Sequence, residues 1–275
     1  MKLLGGKLTI TAATGIVIIL VCAGSAALAP WIAPHDPNAL MGQRWEGPSA
    51  QHWFGLDQLG RDMFSRMLYG GRISITLALL ATLLAFAIGI LTGFAAALFG
   101  RWVDILLSRI ADVILSIPIL MSALIVISGF GTSATMLVLT IGLLYAVVVF
   151  RVARAVAMNI VVLEYVEAAR LRGEGLMWVV WREILPNALP PLAAEFGLRF
   201  CFAFLFIAAL SFLGLGLEPP NADWGSMVKE SALAIPSGLA APLYPAAAIA
   251  LLTIGVNMVV DWLLSLHSRP HGDNA

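Results

Sequence analysis

Residues 73–99 read ISITLALLATLLAFAIGILTGFAAALF and carry no charged side chain. An α-helix needs about 20 mostly apolar residues to cross the hydrocarbon core of a bilayer, so this stretch predicts a membrane-spanning helix. The composition of the whole chain agrees, because 60% of its 275 residues are hydrophobic and only 12% are charged. Soluble domains carry about 25% charged residues. We therefore expect lipid to be the solvent for much of this chain.

Five similar apolar stretches accompany residues 73–99 and predict an all-α integral membrane protein with six transmembrane helices. The six predicted spans are Leu8–Ile32, Ile73–Phe99, Ile110–Gly129, Ala134–Phe150, Leu192–Leu217 and Leu243–Leu266. Pro118 is expected to kink the third span. The predicted organisation is a cytoplasmic tail with the first helix (1–34), a periplasmic or interfacial segment (35–72), a core of five transmembrane helices (73–269) and a C-terminal tail (270–275). A polar loop at 151–191 separates the fourth span from the fifth.

The first apolar stretch has two interpretations. Lys2 and Lys7 before an apolar run are typical of a cleaved signal peptide, and residues 27–29 (ALA) resemble a cleavage site. The apolar run continues to Ile32, however, beyond the length of a signal-peptide core, which is about 7–15 residues. We favour an uncleaved membrane anchor.

Lysine and arginine residues predict the orientation, because they are enriched in cytoplasmic loops. With the N-terminus inside, the cytoplasmic segments hold ten of them and the outside segments hold five. The cytoplasmic set is Lys2, Lys7, Arg101, Arg109, Arg151, Arg154, Arg170, Arg172, Arg182 and Arg269. The outside set is Arg44, Arg61, Arg66, Arg72 and Lys229. Both termini are therefore predicted to be cytoplasmic. The outside arginines are interleaved with Asp57 and Asp62, as on an amphipathic interfacial helix.

Several function classes are not indicated by the sequence. The formal net charge is +0 and the basic residues do not cluster, so nothing indicates nucleic-acid binding. Cys22 and Cys201 lie in apolar runs without metal-ligand spacing, and the motifs of phosphate-binding loops and serine hydrolases are absent. The four histidines form neither a His-Glu-x-x-His motif nor a triad of two histidines and a carboxylate. They are His35, His52, His267 and His271. We expect no metal site, no catalytic residue and no cofactor bound by this chain.

The polar loop at 151–191 predicts two short helices. The run EYVEAARLRG (164–173) is rich in good helix formers, and Gly173 can end a helix with a left-handed residue. A second helix, Met177–Ile184, would place its two tryptophans and Ile184 on one face before Pro186 breaks it. On the residues alone, this pair of helices is either an amphipathic loop lying on the membrane or a contact surface for another protein.

The same loop resembles the EAA loop of ABC importer permeases, the membrane subunits of ATP-driven importers. The matching positions are Glu167, Ala168, Ala169, Arg170, Gly173, Leu185 and Pro186. The family pattern has an isoleucine two positions before the leucine, where this chain has Glu183. The resemblance implies that the first short helix docks into a cleft of a partner ATPase. Glu167 would accept hydrogen bonds there, and the two alanines would allow close approach.

Three further segments resemble one branch of this family, the second permease subunit of dipeptide, oligopeptide and nickel importers. They are HWFGLDQLGRD through GGRIS (52–74), GRWVD through Pro118 (100–118) and SFLGLG through WG (211–225). Together with the EAA loop, the resemblance runs from about His52 to Asp261. It implies the type I ABC importer permease fold.

The resemblance implies a permease subunit that translocates di- or oligopeptides delivered by a periplasmic binding protein, or nickel or a metal chelate in the nickel branch. The implied partners are a homologous second permease in a heterodimer, two ATP-binding subunits that hold ATP and Mg, the binding protein and membrane lipid. The chain would lie in the bacterial inner membrane and would itself be no enzyme. Two rivals are an ion-coupled secondary transporter, for which we see no internal repeat, and an intramembrane enzyme, for which no paired nucleophile and base is found.

Charged residues within or near the spans form a last group of candidate functional residues. They are Asp104, Asp112, Glu195, Arg199 and Asp261. Because buried charge is costly in lipid, each should face protein, water or the interface. Glu195 and Arg199 are four residues apart on one helix, which suits an ion pair that is either structural or part of the translocation pathway. Asp261 is predicted to pack between helices or to contact the loops near the ATPase.

Overall fold

Helices make up nearly all of the regular structure in this computed structural model, which describes residues 2–3, 6–7 and 9–267. The helices are α1 (Ile10–Ala27), α2 (Ala29–Ile32), α3 (Met63–Phe99), α4 (Arg101–Leu115), α5 (Ile119–Phe130), α6 (Ala134–Val161), α7 (Glu164–Leu171), α8 (Leu176–Val179), α9 (Leu185–Phe212), α10 (Trp224–Ser231) and α11 (Leu243–His267). A π-helical turn (Val180–Ile184) joins α8 to α9, a 3-10 turn (Ala232–Ser237) follows α10, and the two-residue strands β1 (Lys2–Leu3) and β2 (Gly6–Lys7) pair antiparallel. The predicted C-terminal tail at 270–275 lies outside the described residues.

Five of the described helices are long and apolar enough to cross a membrane: α1, α3, α6, the continuous helix Leu176–Phe212 and α11. The pair α4 and α5 would add a sixth crossing if it forms one span. The predicted all-α, membrane-spanning fold is therefore confirmed. The helix ends differ from the prediction, since α3 begins at Met63 rather than Ile73 and α6 continues to Val161 rather than ending at Phe150.

The third predicted span, Ile110–Gly129, is not one kinked helix. It belongs to two helices, α4 and α5, which are bent by 81° relative to each other. Pro118 has a ψ of 130° and precedes α5 instead of continuing α4. The 12 residues of α5 span about 18 Å at 1.5 Å per residue, well short of a hydrocarbon core of about 30 Å. The predicted bend at Pro118 is therefore present, but it lies between two separate helices and not within one.

The loops of the bundle lie at two opposite ends, because successive spans run in opposite directions. Loops 33–62, 131–133 and 213–242 share one end, here called the outer end. The start of α4 and residues 162–184 share the other, the inner end. Long-range contacts agree with this division, since Arg66 of α3 donates to Glu230 of α10 at 3.1 Å at the outer end.

The most extensive contact between two of the described helices joins α3 to α6. Gly89 and Gly93, about one turn apart on α3, let the two backbones approach closely. A Cβ atom built at Gly93 would lie 2.8 Å from the amide nitrogen of Arg154 and 2.9 Å from the carbonyl oxygen of Phe150. Small residues at such positions are typical of tight helix packing in membranes. Because α9 packs against both α3 and α6, this pair forms the centre of the bundle.

The segment between α2 and α3 folds as a packed loop at the outer end and not as the amphipathic interfacial helix that its charges predict. Arg61 of this loop and Arg66 in the first turn of α3 are buried, with 7% and 1% of their surfaces exposed. Asp57 Oδ2 lies 2.7 Å from Arg61 Nε and 3.3 Å from Arg66 Nε. Glu230 completes the group from α10. Buried charges need partners of opposite sign, so this four-residue network holds the loop against α10.

The close approach at Gly93 predicts that Gly93→Ala destabilises the bundle. The new methyl group would meet the backbone of α6, and overpacking of this kind costs about 1–3 kcal/mol. We expect a lower unfolding temperature for the detergent-purified protein, measured by the loss of its monodisperse peak after heating. The control is Gly24→Ala, since no other part of the described chain lies within 4 Å of a Cβ atom built at Gly24. Equal unfolding temperatures for the two variants would contradict the close packing.

Candidate functional site

Helix α7 lies at the inner end and turns a narrow face into the bundle. Val166 and Ala169 on this face are fully buried and belong to the main hydrophobic core. Glu167 and Ala168 are exposed, and Leu171 has 82% of its surface accessible. The exposed side of α7 is here called the coupling face.

Only one of the two EAA-loop alanines is placed to meet a partner. Ala168 lies on the coupling face, but Ala169 has none of its surface exposed. The small side chain of Ala169 lets α7 lie close to its own bundle, which differs from the predicted role for both alanines. Arg170 and Pro186 are exposed, and Leu185 is half-buried.

Gly173 ends α7 in the way that the sequence predicts. Its φ is +82°, in the left-handed region that favours glycine. The N–H of Gly173 donates to the Arg170 carbonyl at 2.9 Å, and the N–H of Glu174 reaches back to the Ala169 carbonyl at 3.2 Å. These bonds satisfy carbonyl groups at the end of α7, and the chain then turns into α8.

Pro186 does not break the helix that precedes α9, in contrast to the prediction. Residues Leu176 to Phe212 form one continuous helix, with Pro186 in the first turn of α9, directly after the π-helical turn. The Asn187 side chain donates from Nδ2 to the Glu183 carbonyl at 2.6 Å, which supplies a donor to a carbonyl near the proline. The chain from α8 to α9 therefore has no break, and the bend at 172–175 lies between this helix and α7.

The π-helical turn also changes which side chains share a face. Its wider winding separates residues that α-helical spacing would align. Ile184 is buried, whereas Trp181 is 62% exposed. The single face predicted for the tryptophans and Ile184 is therefore not formed.

Tyr165 lies on the flank of α7 that meets the π-helical turn. Partial burial raises the pKa of its hydroxyl, and the negative charge of Glu183 raises it further. Both causes favour the neutral phenol, so the hydroxyl remains a hydrogen-bond donor at neutral pH. Because α7 also contacts α8 and the π-helical turn directly, these elements form one packed unit.

Two charge pairs attach α4 to the inner half of α6. Arg154 contacts Asp104 through two nitrogens, with Nη2 2.6 Å from Oδ2 and Nε directed at Oδ1. Arg151 donates from Nη2 to Asp112 Oδ1 at 2.6 Å, but both side chains are about half exposed and such a pair contributes little stability. The acids therefore face protein and water as predicted. Sequence spacing does not indicate their arginine partners, which come from another helix.

The ion pair predicted between Glu195 and Arg199 is present on α9. Arg199 Nε lies 2.6 Å from Glu195 Oε1, and both side chains are largely buried. The Arg199 guanidinium also lies 4.9 Å from the centroid of the Phe202 ring, within cation–π range. Asp261 on α11 is exposed and forms none of the ion pairs found among residues 9–267. A transport role for these residues stays a prediction.

An open cleft of about 710 Å³ lies at the outer end, between α3, the start of α6 and the loop after α9. This volume falls within the range of small-molecule sites, about 300–1,000 Å³. The cleft includes two exposed residues of opposite charge, Arg72 and Glu218. Sequence reasoning did not identify the cleft, because three segments that are distant in sequence form its walls.

Comparison with known proteins identifies the family. Residues 85–269 match the family described as binding-protein-dependent transport system inner membrane component. The dipeptide transport system permease protein of Alkalihalophilus pseudofirmus is 36% identical over 220 residues, which cover 80% of this chain and 72% of the relative. The glutathione transport system permease protein of Escherichia coli O6:K15:H31 is 34% identical over 261 residues, which cover 93% of this chain and 84% of the relative.

These matches agree with the multi-pass helical architecture and confirm the resemblance to ABC importer permeases. They favour the importer subunit over the ion-coupled secondary transporter and the intramembrane enzyme. The chain belongs to the inner-membrane permease components of binding-protein-dependent transport systems.

Proposed function

We propose that this chain is a peptide-translocating permease subunit of an ATP-driven importer in the bacterial inner membrane. Relatives named as dipeptide and glutathione transport permeases support short peptides as the substrate class. A periplasmic binding protein delivers the peptide to the outer end. A homologous second permease completes the translocation pathway. Nickel or a metal chelate is the alternative substrate.

The coupling face carries this proposal. It is exposed at the inner end, yet its helix is held by the buried Val166 and Ala169. Two partner subunits bind ATP and Mg and receive this face in a cleft. This chain then binds no nucleotide and hydrolyses no ATP.

The mechanism follows from how α7 is connected. α6 ends at Val161 and α7 begins at Glu164, while the continuous helix Leu176–Phe212 starts soon after α7. ATP favours the closed state of the ATPase pair, and this differential affinity shifts the population of the whole importer. Movement of α7 with the ATPase tilts α6 and α9 together, and the outer cleft changes shape with them.

The proposed orientation predicts which side of the membrane labels the coupling face. In a variant that lacks the two native cysteines, Leu171→Cys should react with a membrane-impermeant thiol reagent only when the cytoplasmic side is accessible. Gln51→Cys, an exposed position at the outer end, should react from the opposite side and is the matched control. Labelling of Leu171→Cys in intact spheroplasts would contradict both the orientation and the coupling role.

Charge reversal on the coupling face should uncouple ATP hydrolysis from uptake. Glu167→Arg would place a cation where the partner is expected to donate hydrogen bonds, and disrupting a close charged contact costs about 2–5 kcal/mol. We expect peptide uptake into proteoliposomes that contain the full importer to fall by at least about tenfold. The permease should still fold and assemble with its homologue, as judged by size-exclusion chromatography.

Glu174→Arg provides the matched control for this experiment. It makes the same charge change in the bend after α7, outside the coupling face. Equal losses of uptake in Glu167→Arg and Glu174→Arg would indicate a general charge effect at the inner end and would contradict docking through α7.

The outer cleft is proposed as the mouth of the pathway, since Arg72 and Glu218 suit the two charged termini of a short peptide. An exposed charge pair contributes about 0.2–1 kcal/mol, so Arg72→Ala should raise the KM for dipeptide uptake by about two- to fivefold. Arg44→Ala, an exposed arginine of the outer end that does not line the cleft, should leave it unchanged. An unchanged KM in Arg72→Ala, or uptake of a nickel chelate but no dipeptide, would contradict this assignment.

A further inference from the structure

Three side chains suited to holding a metal ion meet at the outer end, apart from the cleft and from the coupling face. His35 follows α2, His52 lies in the loop at 33–62, and Asp62 immediately precedes α3. Their ligand atoms all lie within 4.8 Å of one another. The sequence indicates no triad of two histidines and a carboxylate, and the structure differs because the loop folds back on itself.

The geometry of the cluster is close to that of a metal site. His52 Nδ1 lies 3.0 Å from Asp62 Oδ1, and His35 Nδ1 lies 3.9 Å from Asp62 Oδ2. The centroids of the two imidazole rings are 5.1 Å apart. Ligands about 2.0–2.1 Å from a tetrahedral zinc ion are about 3.3 Å from each other. Side-chain shifts of about 1 Å would therefore bring the three groups onto one ion.

One atom of the cluster has no partner among the described residues. His35 Nδ1 is buried, and no group within residues 9–267 forms a hydrogen bond with it. Buried polar atoms of this kind are uncommon in native proteins and often mark a site for an ion or water. A cation shared with the nearby Asp62 carboxylate would satisfy this nitrogen. The Asp62 side chain is only 1% exposed and that of His35 is 23% exposed, so an ion would reach the site past His35.

Neighbouring groups hold the three ligands in place, and His52 Nδ1 is itself paired with Asp62. The Ser65 N–H donates to Asp62 Oδ2 at 2.8 Å, and Asp62 Oδ1 is directed at His52. The backbone N–H of His35 donates to Ser65 Oγ at 3.2 Å, and the backbone N–H of His52 donates to Ser49 Oγ at 3.1 Å. These bonds fix the backbone positions of the two histidines.

We propose that His35, His52 and Asp62 bind one divalent transition-metal ion of the zinc type. Two imidazole nitrogens and one carboxylate oxygen are a ligand set that Zn²⁺ accepts, and water can take the fourth position. The nearby Asp57 is already paired with arginines and does not compete. The ion would join the chain after α2 to the first turn of α3 and so fix the outer loop to the bundle.

The test compares Zn²⁺ binding by the full importer with that of a single-ligand variant. The complex is purified without a polyhistidine tag, treated with a chelator and titrated with Zn²⁺ against a chromophoric competitor. His35→Phe keeps an aromatic ring beside His52 and removes one ligand, and no hydrogen bond of the His35 ring is lost. We expect the variant to bind one Zn²⁺ fewer, or to bind it at least about tenfold more weakly.

His267→Ala is the matched control, because it removes a histidine at the end of α11, at the inner end of the bundle. It should bind Zn²⁺ as the unaltered complex does. A second measurement uses Co²⁺, whose visible absorption reports its ligands. The band should be present in the unaltered complex and in His267→Ala, and absent in His35→Phe.

The thermal response separates metal binding from a folding defect. All three complexes should unfold at similar temperatures without metal, and Zn²⁺ should raise the unfolding temperature except in His35→Phe. Equal Zn²⁺ affinity and an unchanged Co²⁺ band in His35→Phe would overturn the proposal. So would an unaltered complex that binds no Zn²⁺ at micromolar concentration, since the cluster would then be a hydrogen-bonded contact alone.

Discussion

Close contact between the backbones of α3 and α6 determines where the functional surfaces lie. Lipid provides no hydrophobic driving force between helices, so association depends on van der Waals packing and interhelical hydrogen bonds. At Gly93 the two backbones are near enough to exclude a methyl group. α6 then leads into α7, Arg154 of α6 holds α4, and α9 packs against both helices. The coupling face and the outer cleft therefore depend on the same helix pair.

The elements at the inner end behave as one packed unit rather than as a loose loop. α7 is held on one side by its buried residues and on the other by its contact with the π-helical turn. Pro186 lies inside the continuous helix Leu176–Phe212, where the Asn187 side chain donates to the Glu183 carbonyl. A displacement of α7 reaches this membrane-spanning helix through the packing of α7 against α8 and the π-helical turn, since the chain between α7 and α8 is a bend at 172–175.

The sequence predicted the features that local patterns determine. Apolar length identified the spans, i,i+4 spacing identified the pair Glu195–Arg199, and a glycine identified the end of α7. The length of an apolar stretch indicates how much of a helix contacts lipid, however, and not how long the helix is. The prediction therefore missed the polar first turns of α3. The proline residues were misjudged for a similar reason. Pro118 separates two helices and Pro186 lies within one continuous helix, and only the surrounding packing distinguishes these cases.

Contacts between distant parts of the chain could not be predicted from spacing. Three features bring together segments that are far apart in the sequence. They are the arginine partners of Asp104 and Asp112, the walls of the cleft, and the cluster of His35, His52 and Asp62.

The buried network at the outer end has a consequence for biosynthesis. Arg66 is made 164 residues before Glu230, so until α10 is made Asp57 is the one acid of this network that Arg66 can contact. The two carboxylates can share both arginines only after α10 has been made, which makes the outer end one of the last parts of the protein to reach its final structure.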